Sequence, residues 1–149
     1  MGDGEVVYLP GAPRPGLTCL WLSRRHRPLS VQIDELAGLG VSALVEVVRV
    51  FANFGEILRL IDTFRPHMVV AVVRSDWVLR LAKRRDVRVF VPVFETVYRG
   101  SEPPYAWDKD RDWVERVRKV RWKGKRRVAE DVYYVRRFVR FVELPKRGR

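Results

Sequence analysis

A single cysteine, Cys19, rules out a disulfide framework within this chain and any zinc site built on thiolates. Cys19 lies inside an apolar run and reads as a small core residue. Asn and Gln occur once each, as Asn53 and Gln32, and Met twice, while 32% of residues are charged, the composition of a heat-adapted protein. No stretch of 18 or more apolar residues is present, and the first residues lack the basic-then-apolar pattern of a signal peptide. The expectation is a soluble, cytoplasmic protein with no membrane partner. There is neither a Gly-x-Gly-x-x-Gly nor a Walker-type loop, and Gly38, Gly40 and Gly55 do not have phosphate-cradling spacing. No cofactor and no metal are therefore expected, and catalytic residues stay unassigned, with the balance leaning away from an enzyme.

Four apolar runs stand out: Leu17–Leu22, Leu44–Val50, Met68–Val73 and Val87–Val93. Three are near-continuous, as strands buried on both faces are. The gaps between them carry helix punctuation. Ser30 can cap a helix through Val31, Ile33, Leu36 and Leu39 that stops at Gly38–Gly40. Asn53 and Glu56 have capping-box spacing, followed by Ile57, Leu58, Leu60, Ile61 and Phe64 on one face, and Arg65-Pro66 ends that helix. Ser75 can cap a third, with Val78, Leu79, Leu81 and Ala82 facing inward. This alternation predicts an α/β domain, Rossmann-like or flavodoxin-like, with three layers and a mainly parallel sheet of about four to five strands. The expected organisation is an N-terminal arm over 1–16, an α/β core over 17–98 and a basic C-terminal extension over 99–149. Within the arm, Glu5–Leu9 could form a short edge strand.

Charge is the strongest signal. Of the net +12, residues 116–149 hold 14 Lys and Arg against three acids, while residues 1–115 hold 16 against 15. Aromatic residues are interleaved with these cations. Cations neutralise phosphates and exposed aromatics stack on bases, so the block points to DNA or RNA as partner. Arg118, Arg121, Lys123, Lys125, Arg126 and Arg127 are the candidate nucleic-acid-binding residues. Asp108–Trp122 has Trp113, Val117 and Val120 at i, i+4, i+7, acids at its start and cations at its end, which predicts a helix. Val132–Leu144 fits either a helix or a strand, and its Tyr, Val and Phe content favours a strand that adds to the core.

If the sheet is parallel, the loops after its strands share one rim, where ligands bind in open α/β sheets. That rim collects Ser23, Arg24, His26, Asn53, Ser75 and Glu95. His26 sits among arginines that would lower its pKa, but no carboxylate near it in sequence orients it as a base. His67 lies at the opposite edge and reads as structural. Asp76 and Glu95 could meet to hold magnesium, although Asp76 is equally placed to stabilise the first turn of its helix.

Leu20-Trp21-Leu22-Ser23-Arg24-Arg25-His26, the following Gln32 and Pro92-Val93-Phe94-Glu95-Thr96-Val97 resemble a group of small uncharacterised prokaryotic and mobile-element proteins. The similarity covers about residues 17–98 and extends to Val135–Leu144, which resembles the closing aromatic strand of the group. The chain departs from the group by an extra Arg in the first motif, by its N-terminal arm and by a long basic insertion. The resemblance implies a Rossmann-like fold and no activity. Three readings follow from the residues: a nucleic-acid-associated protein binding through phosphates, a nucleotide-type small-ligand sensor or enzyme using the rim, and a protein–protein interaction subunit, homo-oligomeric or with an acidic partner.

Overall fold

The computed structural model describes residues 5–9 and 16–146. The arm's Pro10, Pro13 and Pro15 and the last three residues of the basic tail lie outside them. Ten elements follow in chain order: β1 (Glu5–Tyr8), β2 (Leu17–Ser23), α1 (Ser30–Gly38), β3 (Val41–Val48), α2 (Phe54–Phe64), β4 (Met68–Val72), α3 (Ser75–Ala82), β5 (Arg88–Gly100), β6 (Asp112–Lys123) and β7 (Arg126–Glu143). All seven strands form one sheet in the order β1-β3-β2-β4-β5-β7-β6.

The four apolar runs become β2, β3, β4 and the first part of β5, which pair in parallel. Alternation along them splits the core in two. Leu20, Leu22, Val45, Val47, Val69, Ala71 and Val89 pack against Ile57, Leu60, Ile61, Trp77, Val78 and Leu81 of α2 and α3. Cys19, Trp21, Leu44, Met68, Val70 and Phe90 face the other way, onto Leu36 of α1. Burial on both faces explains why these strands read as continuous rather than alternating apolar runs. β1 adds antiparallel to β3 and delivers Leu9, 1% exposed, to the α1-side core.

Capping chemistry places the helices. Asn53 Oδ1 accepts the Glu56 N–H at 3.1 Å and Glu56 reaches back to the Asn53 N–H at 3.2 Å, the reciprocal box expected from the spacing. Arg65 takes a left-handed φ of 44° and, with Pro66 next, ends α2. The serines behave differently from expectation. Ser30 and Ser75 are first helical residues rather than caps. At α1, Gln32 Oε1 instead accepts the Leu29 N–H at 2.8 Å. Leu79, expected to face inward, is 60% exposed.

The expectation of a mainly parallel Rossmann-like or flavodoxin-like domain is overturned. The described residues form a seven-stranded mixed sheet with three helices, about 49% strand and 21% helix, and most of the pairing is antiparallel. The two longest ladders join β5 to β7 and β7 to β6, both antiparallel. The predicted helix over Asp108–Trp122 is also overturned, since β6 occupies most of it. Its apolar positions at i, i+4, i+7 do not form a buried helical stripe. Val114, Val117 and Val120 pair instead with Val135, Val132 and Ala129 across the ladder, where branched side chains fit. A two-residue turn, Gly124-Lys125, closes the hairpin. Gly124 has φ +62° while Lys125 does not enter the positive region, the pattern of a type II′ turn whose twist matches its strands.

Candidate nucleic-acid interface

β5 stops pairing with β7 at Gly100–Tyr133. From Val117–Val132 to Lys123–Arg126, β6 and β7 therefore run on as a two-stranded ribbon, with no third strand among the described residues. Seven residue pairs span about 23 Å at strand rise. No side chain of the ribbon is buried, so solvent reaches both faces.

An isolated hairpin is marginal in water, and this one is anchored at its base. The Asp112 side chain is fully buried and accepts two hydrogen bonds from Arg137, at 2.8 and 3.0 Å, and one from the Asp108 N–H at 3.0 Å. The Arg137 guanidinium holds the Asp112 carboxyl below the usual carboxylate range, with the Asp108 amide assisting against the cost of burial. Arg136 bonds Glu115 at 3.2 Å and lies over the Tyr134 ring at 4.4 Å. Partial desolvation would raise the Tyr134 pKa, but bonds to Lys119 and Arg99 outweigh it and hold it below the usual phenol value. The Tyr98 ring lies across Gly100, where an added Cβ would collide with the Tyr98 hydroxyl.

The ribbon's charge is graded. Nearer the base, Arg118 bonds Asp131 at 3.0 Å and Arg121 bonds Glu130 at 2.6 Å. Residues 121–127 hold five cations and no acid. Among the described residues, Lys123, Lys125, Arg126 and Arg127 form no ion pair and are all exposed. Strand alternation puts Lys123 and Arg126 on one face, Trp122 and Arg127 on the other, and Lys125 at the apex. Trp122 is 69% exposed. The six cations singled out in the sequence thus come together on one hairpin, two of them neutralised by carboxylates across the ladder. That pairing depends on register, and sequence spacing does not reveal it.

β2, β3 and β4 run parallel, so the loops that carry most of the rim residues follow the same ends of neighbouring strands. Ser23 is buried, and its Oγ accepts the His26 N–H at 3.1 Å and the Arg25 N–H at 3.4 Å, so it shapes a turn. Arg24 is exposed, Asn53 caps α2, Ser75 is exposed at the start of α3, and Glu95 is exposed opposite Arg137. Asp76 is held by Arg74 through bonds of 3.1 and 3.0 Å at the first turn of α3. His67 Nδ1 accepts the Thr18 N–H at 3.0 Å, a structural bond. Burial pushes the Cys19 thiol up to about 12, which leaves no thiolate for nucleophilic work.

Ser23 and His26 line one pocket, with Trp21, Gln32, Phe94 and Trp113 among its walls. Trp113 is not legible as a wall residue in the sequence because it lies far along the chain on β6. His26 meets it edge to face, and both His26 Nε2 and Trp113 Nε1 are buried without a hydrogen-bond partner among the described residues. Burial first, then Arg25, push the His26 pKa down to about 4 against the opposing pull of Glu115, so the ring is neutral at pH 7. At about 30 Å³ the pocket holds one water-sized group, far less than a nucleotide needs.

Among the described residues no helix is long and apolar enough to cross a membrane. No protein-family model matches the chain, and no curated protein or solved structure matches it either.

Proposed function

We propose that the chain is a non-enzymatic nucleic-acid-associated protein that binds phosphates through the tip of the β6–β7 ribbon. The observation that carries this reading is the set of four unpaired cations, Lys123, Lys125, Arg126 and Arg127, at the exposed end of a projecting hairpin. Solubility alone does not call for cations concentrated at a single apex beside an exposed Trp122. Packing them there costs self-repulsion, which a polyanion relieves. In this reading those four residues make the first contacts, and Arg118 and Arg121, already engaged by Asp131 and Glu130, contribute less.

The test uses protein freed of copurifying nucleic acid and a labelled oligonucleotide at low salt. Reversing the four tip charges (Lys123→Glu, Lys125→Glu, Arg126→Glu, Arg127→Glu) should abolish binding, while the circular dichroism spectrum stays that of the parent because every changed side chain is exposed. Equal binding by parent and variant would sink the assignment.

A further inference from the structure

The shape and charge grading of the ribbon bear on which nucleic acid it takes, a step that rests on the function proposed above. We infer that the ribbon tip enters the major groove of B-form duplex DNA, end on, and reads little or no sequence there beyond guanine.

Three observations lead to this. First, the unpaired cations project from both faces and from the apex, so they suit an anion with two walls rather than a strand lying along one face. A single strand offers no second wall. Second, the dimensions match. A β-layer with its side chains is about 10 Å thick, which the roughly 12 Å major groove of B-DNA admits and the roughly 6 Å minor groove does not. The major groove of A-form RNA is deep and narrow and excludes side chains.

Third, the charge sets a depth limit. The last three pairs, Arg121–Val128, Trp122–Arg127 and Lys123–Arg126, are free of acids and extend about 10 Å, close to the roughly 8.5 Å depth of that groove. Farther back, Glu130 and Asp131 lie on opposite faces and would repel the groove walls, so they act as a stop.

Base readout follows from the side chains available. Adenine is read by Asn or Gln, yet the only Asn and the only Gln cap α2 and α1. Residues 121–127 offer hydrogen-bond donors from Arg, Lys and Trp side chains and no side-chain acceptor. Donors alone can meet adenine N7 or thymine O4 singly, but only guanine offers two adjacent acceptors, O6 and N7, for a bidentate contact, so guanine is the one base they favour.

The experiment measures anisotropy with four labelled ligands of equal length: duplex DNA, duplex RNA, single-stranded DNA and single-stranded RNA. At about 100 mM salt, duplex DNA should bind at least about tenfold more tightly than the other three, because only its major groove gives both ribbon faces a wall. Methyl green, which occupies the major groove, should displace the protein, and netropsin, which occupies the minor groove, should not. Equal or tighter binding to a single strand or to duplex RNA, or displacement by netropsin alone, overturns the groove assignment and leaves the phosphate-binding function standing. Failure to bind any of the four at low salt overturns both.

Discussion

The ion pairs on the ribbon make a quantitative prediction for salt dependence. Binding to duplex DNA releases condensed counterions, and the slope of log K against log salt is about −0.9 for each phosphate neutralised. If only Lys123, Lys125, Arg126 and Arg127 engage, the slope is about −3.6. If Arg118 and Arg121 join them it is about −5.4. Between about 50 and 200 mM salt these slopes correspond to losses of roughly 150-fold and roughly 1,800-fold in affinity, a separation that anisotropy titrations resolve. The structure predicts the shallower value. Moving Arg118 or Arg121 to a phosphate would strand Asp131 or Glu130 beside the same polyanion, so each arginine keeps its carboxylate. Two variant pairs sharpen the test. Lys123→Ala with Lys125→Ala should reduce the slope by about 1.8, whereas Asp131→Asn with Glu130→Gln should steepen it by about the same amount by freeing two guanidinium groups. A parent slope near about −5.4, or no change when the carboxylates are neutralised, would refute the division of the ribbon into neutralised and available cations.

Three further outcomes follow from the packing. Asp112→Ala should lower the thermal midpoint by about 5 °C, because it strips the acceptor from Arg137 and from the Asp108 amide at the root of the ribbon, and thermal unfolding followed by circular dichroism measures it. Asn53→Ala should cost about 1 kcal/mol in chemical denaturation, since it removes one half of the α2 capping box and leaves the Glu56 half. The His26 pKa lies at about 4 in the folded chain against the ordinary 6.5 of a solvated imidazole, so its contribution to stability is complete above pH 6.5 and is lost as pH falls toward 4. After allowance for solvent screening of the half-buried ring, that loss is about 2 kcal/mol. His26→Phe should be less pH-sensitive than the parent over this window, and equal pH dependence in urea melts of the two proteins would contradict the burial described here.

Local signals in the sequence located much of the domain. The runs at 17–22, 44–50, 68–73 and 87–93 are strands because a continuous apolar stretch of that length finds burial on both faces only in a covered sheet. Asn53 and Glu56 identified their helix because a capping box is a contact between near neighbours, complete within four residues. Ser30 and Ser75 misled by one position, since a serine at a helix start is compatible with several phasings and the extended residue before it decides which applies. Residues 108–122 misled more seriously. Acids before cations and three apolar residues at helical spacing are also what a solvated strand can carry, because a ribbon wet on both faces imposes no period on its sequence.

By itself the sequence determined that the excess charge lies in the last quarter of the chain and that the apolar runs from Leu17 onward are covered strands separated by helices. These depend on composition and on neighbours within a turn or a strand. Only the tertiary structure decided that the basic block is a projecting ribbon, that Arg118 and Arg121 are neutralised while the four tip cations are not, and that His26 and Trp113 close one small pocket. Each of these depends on antiparallel register or on loop packing between residues distant in sequence, and a shift of one residue in register would send the ribbon's side chains to the opposite face.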